Sequence, residues 1–257
     1  MSEDIFCIMP VFNGEKNISS AINSVLHQTI LNWNLIIVDD HSFDRTVEVV
    51  EKFFDERIIL IKNESNVGPG LSRNKGLAWV KSRYNCGIVC FLDHDDTLYP
   101  HAFKCFQSLL STKFDLGCFP YNIRSNQFLK TFYPSDISLF NIFTRCPFSC
   151  LASCVKLEVI IRNKISFRHA PREDLLFWFD LFKATESNKL KVGNIPIGVY
   201  NLLKSSRSAN KTRMILEQYV TITKYCNQNR LMALLFILAY CIFGLLKYRN
   251  LIRSKSL

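Results

Sequence analysis

Acidic residues follow a short apolar run near the middle of the chain, in the order Asp93-His94-Asp95-Asp96 after residues 88–92. Alternate residues at the end of a strand point the same way, so Asp93 and Asp95 can address one metal–diphosphate complex. Divalent cations such as Mg²⁺ and Mn²⁺ take carboxylate and phosphate oxygens as ligands. The pattern predicts a divalent-cation and diphosphate site. The open alternative is a solvated acidic turn that caps the following helix.

Two further polar clusters begin where an apolar run stops. Residues 10–13 (PVFN) follow the run 5–9, and Asp39-Asp40 follows the run 35–38. Ligands of open α/β sheets bind outside the carboxyl ends of the strands, so we expect all three clusters at one sheet edge. A carboxylate there can accept a hydrogen bond from a base N–H or a ribose hydroxyl. An ordinary strand-end turn is the alternative for Asp39-Asp40.

The elements that must position these clusters alternate between strand and helix, which predicts βαβ units and a largely parallel sheet. The predicted strands are residues 5–9, 35–38, 58–61 and 88–92. A first helix has its apolar face at Ile18, Ala21, Ile22, Val25 and Leu26. Asp44 can cap a second helix, whose inward side is predicted to be Val47, Val50 and Phe54. Pro69 suits the start of a third helix.

The loop before the third helix is rich in glycine, with the sequence Asn66-Val67-Gly68-Pro69-Gly70. Glycine permits close backbone approach to a ligand, and a helix N-terminus favours phosphate. Arg73, on the second turn of that helix, can pair with a diphosphate. A solvated cation is the equal alternative for Arg73.

The later part of the chain gives fewer signals. Residues 116–121 and 127–132 are predicted to form a strand pair, and residues 147–149 a loop. Glu173-Asp174 precedes a strongly apolar helix at residues 175–182. A carboxylate at an active-site rim can take a proton from an attacking hydroxyl. The alternative is a pair of ordinary helix-start acids that complement the macrodipole.

The net charge of +10 is concentrated in the last part of the chain. Residues from Lys204 onward carry a net charge of +9, which leaves +1 for the first 203 residues. This near-neutral body disfavours a nucleic-acid-binding protein. The ten cysteines lie scattered in a chain long enough to have its own core, so a reduced, cytoplasmic setting is expected, without a signal peptide. Cys146, Cys150 and Cys154 are expected to pack and not to bind zinc.

The tail contains an uncharged run, residues 231–246, with Arg230 before it and several basic residues after it. About 20 apolar residues are needed to span a bilayer as a helix, so this run of roughly 16 is short. A buried helix, an interfacial helix and a marginal span all remain open. The basic flanks favour contact with an anionic membrane surface.

The ordered set of motifs resembles the family 2 glycosyltransferases with a GT-A fold, particularly the bacterial enzymes of O-antigen, capsule and other polysaccharide assembly. The matching segments are residues 10–13 (PVFN), 24–28 (SVLHQ), 36–42 (IIVDDHS), 66–68 (NVG), 72–76 (SRNKG), 91–96 (FLDHDD) and 173–174 (ED). Most of the resemblance covers residues 4–100. Each segment alone is weak evidence, whereas their common order is specific.

The resemblance implies a role for individual residues of this chain. It implies Asp95 as the metal ligand, His94 as a variable position that is not a ligand, and Asp174 as the catalytic base. Phe12 is expected to stack on the base that Asp40 contacts, with Asp93 nearer the ribose. The full predicted nucleotide-sugar site is Pro10, Phe12, Asn13, Glu15, Asp40, Gly68, Arg73 and Asp93.

These expectations combine into a metal-dependent, inverting glycosyltransferase that uses Mn²⁺ or Mg²⁺. A sugar would pass from a nucleotide-sugar to a hydroxyl of a saccharide or polyprenyl-diphosphate-linked acceptor, at the cytoplasmic face of the inner membrane. Residues 1–112 are expected to bind the donor, residues 113–205 the acceptor, and residues 206–257 to form the membrane-associating tail, with contact through 230–257. The alternatives are a catalytically inert nucleotide-sugar-binding scaffold and a nucleotidyltransferase.

Overall fold

Two sheets organise the residues that the structure, a computed structural model, describes: 4–125, 128–202 and 211–253. Their strands are β1 (Ile5–Val11), β2 (Trp33–Asp39), β3 (Ile58–Lys62), β4 (Ile88–Phe91), β5 (Thr97–Leu98), β6 (Leu116–Cys118), β7 (Tyr121–Ser125), β8 (Phe128–Phe132), β9 (Ser153–Lys156), β10 (Leu190–Val192) and β11 (Gly198–Asn201). The central sheet has the order β10-β6-β9-β4-β1-β2-β3, and the second sheet has the order β5-β11-β7-β8.

The central sheet is mostly parallel, as the sequence predicts. β1 pairs in parallel with β2 and β4, and β2 pairs in parallel with β3. Only β9 runs against its neighbours, β4 and β6, among the described strands of this sheet. Val11 lies opposite Asp39, and Ile8 lies opposite Phe91. The carboxyl ends of β1, β2 and β4 therefore share one edge, so the three polar clusters do converge.

Helices cover both faces of the central sheet. They are α1 (Ile18–Leu26), α2 (Thr46–Val50), α3 (Pro69–Lys81), α4 (Ala102–Leu110), α5 (Leu139–Thr144), α6 (Leu157–Arg162), α7 (Glu173–Ala184), α8 (Lys211–Val220) and α9 (Arg230–Arg253). Because successive side chains of a strand point to opposite faces of the sheet, a hydrophobic core lies on each face. One core contains Phe6, Ile8 and the inner faces of α3 and α7. The other contains Ile5, Cys7 and the inner faces of α1 and α4.

The predicted strand pair of residues 116–121 and 127–132 is right in its second strand, β8, and wrong in its first. Leu116–Cys118 belongs to the central sheet, and the partner of β8 is Tyr121–Ser125 in the second sheet. Pro120 marks the break between them, because proline has no N–H to donate to a ladder. Gln127, the first residue of the predicted partner, lies outside the described residues.

The predicted inward face of the second helix is partly wrong. Val50 is buried, but α2 ends there and the chain turns. Phe54 is 97% exposed, and Phe53 packs against the core instead. Because the helix ends at Val50, helical spacing does not apply beyond it, and the residue that faces the core is Phe53 and not Phe54.

The tail forms two helices that pack on the body, and residues 203–210, where the expected boundary at 205 falls, lie outside the described residues. α8 continues into a π-helical turn, Thr221–Tyr225, before α9. Phe236 of α9 packs against Phe140 and Phe143 of α5. None of the described helices combines the length and the apolarity that crossing a membrane requires.

Candidate active site

The loops after β1 and β2 are fastened to each other by side chains of the predicted donor site. Asn13 has a positive φ of 52°, its N–H donates to Ser42 Oγ (2.9 Å), and its Oδ1 accepts the N–H of Phe43 (2.9 Å). Glu15 accepts the N–H of Arg45 through Oε2 (3.0 Å). Asn13 and Glu15 therefore hold the rim of the sheet edge in shape.

An aromatic group lies on this rim. Phe12 is partly exposed and contacts Phe43 edge-on, with ring centroids 5.9 Å apart. The His41 ring also contacts Phe43, with ring centroids 5.3 Å apart. These rings offer a surface on which a planar base can stack. Pro10, by contrast, is buried inside β1 and does not reach the rim.

The two aspartates at the end of β2 have different surroundings. Both oxygens of Asp40 accept protein hydrogen bonds, from Asn63 Nδ2 (2.7 Å) and from the N–H groups of Val67 (3.0 Å) and Gly68 (2.8 Å). Asp39 accepts only the N–H of Ser42 through Oδ2, and its buried Oδ1 has no hydrogen-bond partner among the described residues. Asp40 fixes the loop before α3, and Asp39 retains an unused acceptor.

The N-terminus of α3 lies against the first residue of α7. Gly68 is the N-cap with φ 88°, a conformation that side chains rarely adopt, and Pro69 begins the helix as predicted. A Cβ added to Gly70 would lie 2.8 Å from Glu173 Cγ. The glycine at position 70 therefore permits this close approach, which brings the Glu173-Asp174 pair to the N-terminal half of the chain.

Arg73 is buried and paired, not solvated. Its Nη2 donates to Asp93 Oδ1 at 2.5 Å, and its side chain is 5% exposed, against 35% for Asp93. Burial alone would lower the pKa of Arg73, but the surrounding acidic groups, among them Cys150, Asp93 and Glu173, raise it. The guanidinium is a fixed cation that joins α3 to the acidic turn.

Within the acidic turn, each residue has a distinct environment. Burial raises the pKa of Asp95, and the charge of Asp93 adds to the rise. Burial likewise raises the pKa of Asp96, which accepts the N–H of Asn201 (2.9 Å). A Cβ on Gly14 would lie 2.7 Å from His94 Cδ2, so the His94 ring packs on that glycine. Asp96 and His94 thus make contacts that stabilise the fold around the turn.

The donor chemistry of the turn fits a divalent cation that also takes substrate oxygens. In the described ranges, no group of three or more His, Cys, Asp or Glu side chains is arranged to hold a metal ion. Mg²⁺ and similar ions commonly bind through one or two carboxylates plus substrate phosphates. The crowded carboxylates of Asp93 and Asp95, with the raised pKa of Asp95, are the negative charge that such a cation relieves.

Asp174 lies at the start of α7 beside two arginines. Burial alone would raise its pKa, but Arg172, the N–H of Leu175 and Arg73 together lower it. Arg172 Nε is 3.5 Å from Asp174 Oδ1, and the Asp174 side chain is 43% exposed. Asp174 is therefore an ionised carboxylate with access to solvent, close to the Arg73–Asp93 pair.

Sequence reasoning missed three of the groups around this carboxylate. Cys150, expected only to pack, lies on the loop before β9, and charges of Arg73 and Asp174 act on its thiol. Arg172 precedes the acidic pair, and Gln218 of α8 contacts Arg172. The cation directly before Glu173-Asp174 was a visible signal. The sequence around Gln218 and Cys150 gives no signal that either residue lies near the predicted base.

The mostly parallel central sheet with helices on both faces has the GT-A fold. The solved structure of Staphylococcus aureus TarS residues 1–349 with UDP-GlcNAc superposes with a TM-score of 0.69 and 19% identity, covering 93% of this chain and 71% of that one. The mannosyltransferase PcManGT from Pyrobaculum calidifontis, solved with GDP-Man and Mn²⁺, has a TM-score of 0.65 and 13% identity, with coverage of 93% and 72%.

Residues 6–148 match the model of Glycosyl transferase family 2, and the chain belongs to that family. An Escherichia coli relative, UDP-Glc:alpha-D-GlcNAc-diphosphoundecaprenol beta-1,3-glucosyltransferase WfgD, is 30% identical over 244 residues. The alignment covers 94% of this chain and 93% of WfgD. The expected family is confirmed, and so is the GT-A fold.

Proposed function

We propose that the chain transfers a hexose from a nucleoside diphosphate sugar to a hydroxyl of a lipid-linked saccharide, with inversion, in the assembly of a surface polysaccharide. The observation that carries this proposal is the close packing of Glu173, the residue before Asp174, on Gly70 of α3, the helix whose Arg73 is paired with Asp93. A solvent-accessible carboxylate beside the predicted diphosphate site is what direct displacement requires. The inert-scaffold alternative does not account for this arrangement.

The donor would lie across the edge where β1, β2 and β4 end. Its base would stack on Phe12, and a base N–H would donate to the unused Oδ1 of Asp39. Because both carboxylate oxygens of Asp40 accept hydrogen bonds from the protein, its role would be to hold the loop at Gly68 in shape. Asp93, held by Arg73, would accept a hydrogen bond from a ribose hydroxyl.

A divalent cation, Mn²⁺ or Mg²⁺, would be held by Asp95 and the donor phosphates, where it supplies neutralisation of the leaving diphosphate. Asp174 would take the proton from the acceptor hydroxyl as that oxygen bonds to the anomeric carbon. As this bond forms, the bond from the anomeric carbon to the phosphate oxygen breaks, and the nucleoside diphosphate leaves with its electron pair. Ionisation of Asp174, which its lowered pKa ensures, is the state that this step needs.

The decisive experiment compares Asp174→Asn with the unmodified chain in a transfer assay and a nucleotide-sugar binding assay. We expect transfer to fall at least about a hundredfold, the scale of a lost general base, while donor binding is retained. Thr221→Val, a buried change in the tail, is a matched control that should retain transfer. Full turnover by Asp174→Asn would refute the assignment.

The name of the Escherichia coli relative supplies a specific first choice of substrates, UDP-glucose and an N-acetylglucosamine diphosphate lipid. Support for this choice is the 30% identity that extends through nearly the whole of both chains. A panel of UDP-glucose, UDP-N-acetylglucosamine and GDP-mannose, each with and without EDTA, tests donor and metal together. Transfer from GDP-mannose alone would reject this choice of donor.

The outer face of α9 is proposed to rest on the anionic cytoplasmic face of the inner membrane. Its inner face packs on α5, but a stripe on the other side is 47–69% exposed: Leu231, Leu234, Leu235, Leu238 and Ile242. The sequence places Arg230 before this stripe and Lys247, Arg249, Arg253 and Lys255 after it. Apolar contact together with basic charge favours an anionic leaflet.

Sedimentation with vesicles tests the membrane proposal. We expect binding to phosphatidylglycerol-containing vesicles, weaker binding to phosphatidylcholine alone, and loss of binding in Leu234→Glu/Leu238→Glu. The exposed Leu31, outside the tail, gives the matched control Leu31→Glu. Equal sedimentation of the double variant and the control would exclude α9 as the contact.

A further inference from the structure

A tail residue is hydrogen-bonded to the arginine that flanks the proposed base. Gln218 of α8 accepts a hydrogen bond from Arg172 Nη1 through Oε1 (2.8 Å). Its amide Nε2 donates to the carbonyl of Phe143 in α5 (2.8 Å). Gln218 is 2% exposed, so it is held on both sides inside the protein.

Arg172 occupies a position where a cation needs support. It is the N-cap of α7, and positive charge at a helix N-terminus opposes the macrodipole. Its side chain is 12% exposed, so water offers little compensation. Asp174 and Gln218 are the two side chains in the described structure to which the guanidinium donates hydrogen bonds.

We propose that Gln218 is a positioning residue for transfer: by fixing Arg172, it holds Asp174 at the acceptor side of the cleft. This inference rests on the proposed function, because it needs Asp174 as the base. It goes beyond it by assigning to the tail a part in catalysis, in addition to membrane contact. Gln218 does not itself touch the reacting atoms.

The charges that face Asp174 set the sign of the expected pH effect. They are Arg172 at the N-cap of α7, Arg73 from α3 and the neighbouring Glu173. The Cys150 thiol from the loop before β9 is also near this group but is uncharged, because burial raises its pKa. Burial raises the pKa of Asp174, and Arg172 is the largest influence that lowers it. When Arg172 is no longer fixed, the effect of burial dominates and the pKa of Asp174 rises. The fall of kcat at low pH, which we call the acid limb, then moves to higher pH.

The test measures kcat and KM against pH for Gln218→Met, Arg172→Met and the double variant. For Gln218→Met we expect an upward shift of the acid limb, a fall of about tenfold in plateau kcat from misplacement of the base, and a donor KM within about twofold. In the Arg172→Met background, Gln218→Met should add no further shift. An unmoved acid limb, or an equal shift in both backgrounds, overturns the proposal.

Two further variants separate positioning from simple loss of stability. Thr221→Val removes a buried hydroxyl from the same tail segment without touching Arg172, so it should lower the melting temperature and leave the acid limb unmoved. If Gln218→Met does not fold, Gln218→Asn keeps an uncharged amide that is one methylene too short to reach both Arg172 and the Phe143 carbonyl. Its acid limb should also rise, and an unmoved limb again overturns the proposal.

The result with Asp174→Asn distinguishes the two levels of failure. If Asp174→Asn transfers sugar normally, the proposed function fails and Gln218 has no base to position. If Asp174→Asn is inactive while the acid limb of Gln218→Met is unmoved, the proposed function stands and only the positioning role is overturned.

Discussion

The guanidinium of Arg73 donates to the carboxylate of Asp93 at 2.5 Å, with the arginine buried and the aspartate about one-third exposed. This pair joins α3 to the acidic turn after β4, two parts of the predicted donor site that are 20 residues apart. Because Asp93 also adds to the raised pKa of Asp95, Arg73 limits the negative charge of the turn before any ligand arrives.

Removal of Arg73 should therefore destabilise the protein. Breaking a buried ion pair typically costs about 3–5 kcal/mol, and the partial exposure of Asp93 reduces the expected loss for Arg73→Met to about 2 kcal/mol. Chemical denaturation of Arg73→Met, Asp93→Asn and the double variant measures the coupling between them. Strictly additive losses would show that the pair has no energetic importance.

Asp39 and Asp40 should respond differently to the same substitution. Asp40→Asn replaces an accepting oxygen by an NH₂ group that faces the N–H groups of the Gly68 loop. We therefore expect a loss of about 2 kcal/mol in unfolding free energy and weaker binding of the nucleotide-sugar. Asp39→Asn removes a buried charge with an unused oxygen, so stability should change by less than about 1 kcal/mol. Calorimetric titration should nevertheless show weaker nucleotide binding for Asp39→Asn. Unchanged binding would return the base contact to Asp40.

The two glycines at the start of α3 should be required for different reasons. Gly70→Ala brings a Cβ against Glu173 and should cost about 1–3 kcal/mol, part of which Glu173→Ala restores by removing the crowded Cγ. Gly68→Ala meets nothing within 4 Å but has φ 88°, and should cost about 1–2 kcal/mol. Glu173→Ala should not rescue Gly68→Ala. Thermal unfolding of the three single variants and the two double variants with Glu173→Ala checks the distinction.

His94 should be dispensable for metal binding although it stands between two acids. Its ring packs on Gly14, so His94→Ala should keep Mn²⁺ affinity in the presence of UDP within about threefold. Asp95→Ala, the matched change beside it, should lose more than about tenfold. Electron paramagnetic resonance of Mn²⁺ gives both numbers. A large loss in His94→Ala alone would exchange the two assignments.

The sequence predicted the strands of residues 1–112 well because the signals there are local. The strands, the apolar face of α1, the start of α3 at Pro69, and the acids at the ends of β2 and β4 can all be recognised within about ten residues. The approach of Glu173 to Gly70 depends on how α7 packs, which short-range patterns do not contain. The same holds for Gln218, whose meaning arises only when α8 meets the N-cap of α7.

The errors have equally physical causes. Residues 116–121 contain one apolar run, yet Pro120 divides it between two sheets, with Phe119 bonded to Ala152 and Pro120 accepting from Ile197. Those partners lie far along the chain, so periodicity cannot reveal them. Phe54 was assigned by continuing a helix that ends at Val50. A missed helix end changes which neighbouring residue packs inward.

The antiparallel pairing of β9 with β4 limits how this enzyme can diversify. Cys90 of β4 lies opposite Cys154, and Val89 opposite Val155, so the later part of the chain completes the same sheet as the earlier part. A transplanted later part would have to bring a strand of matching register and side-chain volume at this seam. Exchange of whole halves between relatives is thereby disfavoured, and change in acceptor preference is expected through loops that leave the seam intact.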